Sequence, residues 1–357
     1  MDARPQSKWL DKLVFLGTGT SSQVPAIPCV TGAVTGCVTC EDAMKPGSKN
    51  RRGCTAALAI GSAPGGPSSC IVIDCGKTFY QSALDCFPKY GLKRIDAVLL
   101  THAHADAILG LDDLRSWTMR GTIQDYVDVF LTQECFSTVQ NTFPYLVNRK
   151  LATGGGDVGA LRWHIISATE RFYVGPHKVP IDPLRVDHGY AGPERHPFEC
   201  LGFRIDTMSY ISDCHNIPQA TTDKMIGSTA IVLDALMMRP HPSHYSVPQA
   251  IEYALGFADQ QSAQGQGVPL VLFTDVCHRM EHHSFEASVQ QFLAGLNAYR
   301  EKHQDATGAW WEEIWDAREN EESLELRLRS DPGAMQQRCL PEMHVTYDGL
   351  CIDFRKV

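Results

Sequence analysis

Short apolar runs recur along the chain and alternate with segments in which apolar residues have a helical spacing. Runs rich in Val, Ile, Leu and Phe, bounded by Gly, Pro, Asp or Ser, predict strands at 13–16, 56–60, 70–74, 97–100, 127–131, 163–166, 200–205, 209–211, 230–233, 270–273 and 344–354. Three- and four-residue spacing predicts helices at 78–87, 109–119, 134–146, 247–260 and 285–302. Neighbouring strands with interspersed helices predict a layered α/β protein with mixed sheets.

Composition limits the class of protein and of partner. The chain has 357 residues, 43% of them hydrophobic, which is enough for a core and excludes a wholly disordered chain. The formal charge of -9 disfavours nucleic acid and anionic membranes as general partners. No apolar run reaches the roughly 18 residues of a membrane helix, and the first residues lack a secretory pattern. We therefore expect a soluble, cytoplasmic protein, with an organelle presequence left open.

Acidic residues are concentrated between positions 310 and 329. We interpret the surrounding stretch, 305–340, as a solvated acidic insertion. A docking surface for a basic partner is the alternative interpretation.

The stretch 95–115 has a pattern typical of a metal site. An apolar strand ends at Thr101, and His102, His104 and Asp106 follow at alternate positions. Alternate side chains just past a strand can converge on one point. Imidazole suits zinc, manganese or iron, and a carboxylate adds affinity for harder ions.

Thirteen cysteines form a second group of candidate ligands. Without a secretory pattern, some of them are expected to bind metal and the rest to pack as small apolar residues. Cys37 and Cys40 have the two-residue separation that lets two thiolates point at one zinc ion. On its own this C-x-x-C pair is only moderately specific for zinc, since redox activity and simple burial are alternatives.

The metal loop resembles the H-x-H-x-D-H motif of the metallo-β-lactamase superfamily. LVFLGTGT at 13–20, IVIDCG at 71–76, VDHG at 186–189 and YISDC at 210–214 are similar to further superfamily motifs. The resemblance implies a single α/β domain over 1–357, a four-layer αββα sandwich with two mixed β-sheets. It also implies that His188 and Asp213 are metal ligands, with Asp213 between two metals.

Within the superfamily, the chain looks most like the cyclic phosphodiesterases of bacterial phosphonate breakdown. GTGTSSQVP, NRRGCTAALAI, YDGLCIDF and the cysteine cluster carry this resemblance. It implies that His244 is a proton donor or substrate contact. It also implies a structural zinc in a knuckle-like insertion at 29–40, with four ligands: Cys29, Cys37, Cys40 and His278. Because the family places its first cysteine two residues before the second, Cys277 is an alternative to Cys29.

Two positions depart from the family pattern. Ala107 replaces the histidine after the loop aspartate, and Asp275 replaces a histidine that follows a late strand. The implied first metal site keeps four ligands: His102, His104, His188 and Asp213. The implied second site keeps only carboxylates: Asp106, Asp213 and Asp275. Such a site favours manganese, magnesium or iron over zinc, or stays empty, so we expect one or two catalytic ions of manganese or zinc.

The resemblance implies a metal-dependent hydrolase that cleaves a phosphodiester, cyclic or small-molecule, with a metal-activated water. His244, Asp213 and Asp106 are the candidate catalytic residues, and a small phosphate-containing molecule is the candidate substrate. Thioester, lactone or RNA cleavage on the same fold is an alternative, with RNA disfavoured by the net charge. A non-catalytic, zinc-stabilised scaffold is another, and a homodimer stays open. The pocket walls are expected from 121–159, from 194–199 and from the acidic insertion.

Overall fold

The computed structural model describes residues 9–62, 68–151, 158–302 and 339–356, and two seven-stranded sheets dominate it. The strand order is β14-β1-β2-β3-β4-β5-β6 in the first sheet and β13-β12-β11-β10-β9-β8-β7 in the second. The strands are β1 (Leu10–Gly17), β2 (Ala56–Ser62), β3 (Ser68–Ile73), β4 (Ala97–Leu99), β5 (Val127–Leu131), β6 (Leu161–Ile165), β7 (Phe172–Val174), β8 (Val179–Ala191), β9 (His196–Ile205), β10 (Met208–Tyr210), β11 (Ala230–Asp234), β12 (Leu270–Thr274), β13 (Glu342–Val345) and β14 (Cys351–Asp353).

Helices cover the outer faces of the sheets. They are α1 (Ile27–Val30), α2 (Val38–Ala43), α3 (Phe79–Lys89), α4 (Ala105–Ile108), α5 (Arg115–Thr118), α6 (Gln133–Thr142), α7 (Pro144–Val147), α8 (Gln219–Met225), α9 (Val247–Ala263) and α10 (His282–Lys302). The longest helices begin where the sequence provides caps. Ser246 and Gln249, for example, form a reciprocal capping box at the start of α9.

The two sheets share one pairing pattern. In each sheet, three antiparallel pairs are followed by three parallel pairs, from β3 to β6 in the first and from β10 to β13 in the second. Parallel strands have their carboxyl ends at one edge, where ligand sites of open α/β sheets form. The loops that carry His102, Asp213 and Asp275 leave from these ends, whereas His188 lies within the antiparallel strand β8.

Three apolar layers hold the sandwich together. One cluster joins the inner faces of the sheets and includes Phe15, Phe203 and Leu272. The outer face of the first sheet packs under α3, around Phe79. The outer face of the second packs under α9 and α10, around Phe257. These layers confirm the predicted α/β sandwich with two mixed sheets.

Several predicted elements differ from the structure. The 13-residue strand β8, which carries His188, was not predicted, and 344–354 is two strands in different sheets, β13 and β14. The predicted helix 109–119 is a 3₁₀ turn, Leu111–Leu114, followed by the single turn α5. Pro144 separates α6 from α7, because proline lacks the amide hydrogen that a continuous helix needs.

The predicted acidic insertion, 305–340, lies outside the described residues except for 339 and 340. The single-domain interpretation and the insertion stay predictions. Within the described ranges, no helix combines the length and apolar character needed to cross a membrane.

Candidate metal centre and its pocket

The loop after β4 carries the first candidate ligands and is held by a turn after β3. The amide of Cys75 donates to the carbonyl of Ala107, and the amide of Gly110 donates to Cys75, both at 2.8 Å. A Cβ on Gly76 would lie 1.5 Å from the carbonyl oxygen of Asp106, so the turn approaches the loop closely enough to require glycine. The loop position therefore depends on this backbone contact.

His102 is oriented by a buried relay. The Thr101 hydroxyl donates its hydrogen to Asp74 Oδ2 at 2.8 Å. Its oxygen lies 2.8 Å from His102 Nδ1, so it accepts a hydrogen bond that Nδ1 donates. Nε2 is left as the acceptor, and it is buried with no hydrogen-bond partner among the described residues. Burial lowers the pKa of His102 to about 3, which keeps the ring neutral. A neutral ring with an unpartnered buried nitrogen fits a metal ligand.

His188 reaches the same point from the second sheet. It lies in the irregular part of β8, beside Gly189, whose φ of +74° favours glycine. Nδ1 of His188 donates to the carbonyl of Ser243 at 2.8 Å, and Nε2 lies 3.3 Å from Nδ1 of His104. Burial lowers the pKa of His188 to about 4. Its Nε2 is therefore also available as a ligand atom.

His104 is positioned by an aromatic neighbour. Its ring stacks on Phe198 at 5.1 Å with an interplanar angle of 7°. Burial lowers its pKa below the ordinary value, so this imidazole is also neutral. The ligand nitrogens of His102, His104 and His188 all lie within 4.8 Å of one another.

Asp213 follows β10 and joins this cluster. Its carboxylate lies within 4.8 Å of ligand nitrogens of His188 and His244. Burial alone would raise the pKa of Asp213, but its interactions with His102, His188 and His244 outweigh burial and lower the pKa to about 2. Three neutral imidazoles and one ionised carboxylate are a donor set that suits zinc. The structure thus groups His102, His104 and His188, and it places Asp213 beside His188.

His244 is flanked by two buried carboxylates. Its Nδ1 donates to Asp234 Oδ2 at 2.8 Å and lies 3.1 Å from Asp275 Oδ2. Burial would lower the pKa of His244, but the two carboxylates raise it to about 12, so the ring is an imidazolium. The amide of Cys214 also donates to Asp234, at 2.9 Å. The second nitrogen of His244 is left for the pocket, which this residue lines.

The carboxylates predicted for the second metal site are not gathered at one point. Asp275 groups with Asp234 and His244, whereas Asp106 joins none of the candidate metal groups of the described residues. Burial and the charge of Asp213 raise the pKa of Asp106 to about 6. Ala107, which replaces the family histidine, is buried in the apolar layer under α3. The second metal site stays a prediction.

The four predicted structural-zinc residues lie together beside the pocket. The Sγ atoms of Cys29, Cys37 and Cys40 are each 3.6 Å from Nδ1 of His278. Zinc bonds of ~2.3 Å to sulfur and ~2.05 Å to nitrogen at a tetrahedral angle place the two ligands about 3.6 Å apart. The alternative ligand, Cys277, is outside the group. Burial raises the pKa of Cys40 to about 12, so a nearby cation is needed to hold its thiolate at neutral pH.

A cavity of about 620 Å³ opens over the histidine cluster, and we call it the catalytic pocket. Its walls come from the loop at 20–23, from 104–106 and from the segments 236–244 and 277–279. Arg279, at the edge of the pocket, is exposed and makes no salt bridge within the described part of the chain. Lys77, whose ammonium donates to the carbonyl of Ser21, is not among the residues that line the pocket. None of the described residues of the predicted wall segments 121–159 and 194–199 belongs to this lining.

Sequence reasoning missed Asp234, Phe198 and the relay from Asp74 through Thr101. A signal existed for Asp234, because it ends the apolar run AIVLD just as Asp275 follows LVLFT on the neighbouring parallel strand. Two acids at equivalent ends of adjacent parallel strands must lie close together. No local pattern marks Phe198, since it reaches His104 through the pairing of β8 with β9.

Residues 70–262 match the family model described as the beta-lactamase superfamily domain, which is more than half of the chain. Among curated proteins, an octanoyltransferase of Porphyromonas gingivalis is 28% identical over 242 residues. The aligned region is 68% of this chain and 42% of that protein, so the chain spans less than half the length of its curated relative.

Solved structures share the fold. A diphosphatase of the PhnP family has a TM-score of 0.62 at 21% identity, with 96% of each chain covered. Zinc-bound PqqB of Methylobacterium extorquens has a TM-score of 0.60 at 16% identity, covering 96% of this chain and 99% of the other. Yeast PDE1 has a TM-score of 0.54 at 12% identity, covering 80% and 94%.

Proposed function

The chain belongs to the beta-lactamase superfamily, and we propose that it is a metal-dependent hydrolase of small phosphodiesters. The observation that carries the proposal is the position of His244 beside the histidine cluster, with Nδ1 within 2.8 Å of Asp234 and 3.1 Å of Asp275, which favours the imidazolium. A fixed cation there stabilises a developing negative charge. The relative named as a diphosphatase supports the same class of anionic substrate.

The surroundings of the pocket also favour an anion. Arg279 and His244 bring two positive charges to its lining, although the whole chain carries a formal charge of -9. A diester phosphate has one negative charge, which a guanidinium and an imidazolium can bind with charge-assisted hydrogen bonds. A neutral thioester or lactone carries no negative charge with which the second cation could pair.

The residues of the chain have separable roles in the proposed reaction. His102, His104, His188 and Asp213 would hold the catalytic metal, which supplies a Lewis acid and an activated water. The P–O bond to the leaving group breaks as the oxygen of water bonds to phosphorus. Because Nδ1 of His244 is held by carboxylates, Nε2 donates its proton to the departing oxygen. Asp106 lines the same pocket, and with its raised pKa it would accept a proton from the attacking water.

The geometry favours one catalytic ion. The three imidazoles form one group and Asp213 lies beside His188, whereas Asp275 is engaged with His244 and Asp106 joins no candidate group of the described residues. We propose zinc at the Cys₃His site and one zinc or manganese ion at the histidine cluster. Plasma mass spectrometry of protein purified without chelator should give two metals per chain. Three would establish a second catalytic ion.

The activity test compares leaving groups. Purified protein is assayed on bis(p-nitrophenyl) phosphate, on phosphodiesters with alkyl leaving groups, and on thioesters and lactones. His244→Gln should lower kcat by about 10²–10⁴-fold for alkyl leaving groups, and by less for p-nitrophenolate, which departs without a proton. His164→Gln is the control, because His164 also bonds an aspartate, Asp128 at 2.7 Å, but lies in the edge strand β6. Equal losses for both leaving groups would contradict proton donation by His244.

A second candidate function is hydrolysis of an acyl thioester. The 28% identity to an octanoyltransferase favours it, since an octanoyl group is an acyl chain. Octanoyl and acetyl thioesters are therefore included in the panel. Hydrolysis of thioesters without phosphodiesters would replace the leading proposal with this one.

A further inference from the structure

A second cavity of about 960 Å³ lies beside the catalytic pocket, and we call it the side groove. Its volume is in the range of ligand sites, roughly 300–1,000 Å³. One wall is the cysteine-rich segment at 26–39, and the other is formed by 237–239 and the start of α10. Nothing in the proposed reaction at the histidine cluster uses this groove.

The groove is continuous with the catalytic pocket. Met237, His278 and Arg279 line both cavities. A ligand held at the histidine cluster can therefore extend past Met237 into the groove without leaving the protein surface. Arg279 stands at the junction, where it can pair with an anionic group between the two parts of such a ligand.

The lining of the groove is mainly apolar. Val34 and Val38 are 49% and 66% exposed, and three methionines line the same groove: Met237, Met238 and Met280. Methionine side chains are flexible and adapt to aliphatic ligands. Glu281, which also lines the groove, already accepts hydrogen bonds from Asn50 and from the amide of Ser284.

Val34 and Val38 are costly to leave in water. The zinc geometry constrains the cysteines but does not require branched apolar residues at these two positions. The exposed fractions of Val34 and Val38 are also far larger than those of core residues. Exposed apolar surface that adjoins a catalytic pocket is characteristic of a ligand groove. A ligand that covers these two side chains would remove that surface from water.

The geometry points to a substrate with a linear aliphatic chain, which lies in the side groove while its phosphodiester occupies the catalytic pocket. This inference rests on the proposed phosphodiesterase function for the reacting bond. The contacts of the groove with the aliphatic chain of the substrate are the same before and during bond cleavage, so they contribute to substrate binding and selectivity and not to the chemical step. The chain length should therefore affect KM more than kcat.

The test uses alkyl p-nitrophenyl phosphates with methyl, butyl and octyl chains, each below its micelle concentration. Each fully buried methylene contributes ~0.8 kcal/mol, about fourfold in kcat/KM. We expect kcat/KM to rise about tenfold or more from butyl to octyl, mainly through KM. Val38→Asp should remove this preference, and its new acid at the first position of α2 is compatible with the helix.

Met44→Asp is the matched control, since Met44 is 60% exposed directly after α2 but does not line the groove. It should keep the preference, with zinc content unchanged in both variants. If all esters are hydrolysed at equal kcat/KM, the groove inference is overturned and the phosphodiesterase function stands.

Calorimetry with octyl phosphate and methyl phosphate tests the groove without turnover. If no ester is hydrolysed but octyl phosphate binds about tenfold tighter in a Val38-dependent manner, the groove inference holds and the proposed function fails. Equal binding of the two phosphates would overturn the groove inference whatever the activity.

Discussion

Replacing Asp234 with asparagine should change the pH dependence of the reaction at its alkaline side. The side chain keeps its shape, and its carbonyl can still accept from the amide of Cys214, so only the charge beside His244 is lost. In the native protein the carboxylates raise the pKa of His244 to about 12, and the imidazolium persists throughout the assay range. Deprotonation of His244 should therefore not reduce the rate of the native protein below about pH 10.

The size of the effect follows from the geometry. Two unit charges about 4 Å apart interact by about 4 kcal/mol at an effective dielectric constant of 20. Because one pKa unit corresponds to 1.36 kcal/mol, removing one carboxylate lowers the pKa of His244 by about three units. The midpoint of the alkaline loss of rate falls by the same amount. Asp275 remains, so His244 stays protonated at pH 7. The variant should retain activity at pH 7 and lose about tenfold at pH 10.

The assay is kcat/KM between pH 6 and 10.5 on an alkyl phosphodiester, with the metal content measured at each end. Asp128→Asn is the control, because Asp128 also bonds a histidine but at the edge strand β6, and its profile should match the native one. An unchanged alkaline limb in Asp234→Asn, with metal content intact, would refute the account of His244 as a carboxylate-held acid.

Two further predictions concern the metal sites. Cys40→Ser should lose the structural zinc, whereas Cys277→Ser should keep it, as metal analysis measures. If zinc loss costs ~3 kcal/mol of stability, scanning calorimetry should show a melting temperature lower by ~5 °C in Cys40→Ser. Equal zinc loss in the two variants would contradict the assigned ligands. Thr101→Val should weaken binding of the catalytic metal by about 10–100-fold, because the hydroxyl that orients His102 is gone. A competition titration with a chelating dye measures the metal affinity, and an unchanged affinity would contradict a role for the Thr101 hydroxyl in orienting His102.

Much of the fold could be predicted because buried strands have a strong local signal. Runs such as AVLL and LVLF are apolar on both faces, as expected for parallel strands covered on both sides. Strand β8 was missed because prolines and charged residues interrupt its apolar positions, Pro180, Pro183 and Arg185 among them. Its stability comes from long pairing with β9, which the local sequence does not reveal.

The candidate site could be predicted where its residues form a motif, and not where distant segments meet. His102 and His104 are marked by spacing alone, and resemblance added His188. The role of Asp275 could not be read in this way, because it depends on how the loop at 241–244 folds over β11 and β12. Only the structure shows that Asp275 faces His244 together with Asp234.

Asp275 and His278 are three positions apart, and they serve different centres. Asp275, in a left-handed conformation with φ of +60°, faces His244, while His278 faces the three thiols. One residue inserted or deleted between them would misplace either the carboxylate or the imidazole. We therefore expect this short stretch to tolerate substitutions, but not insertions or deletions, without loss of one of the two centres.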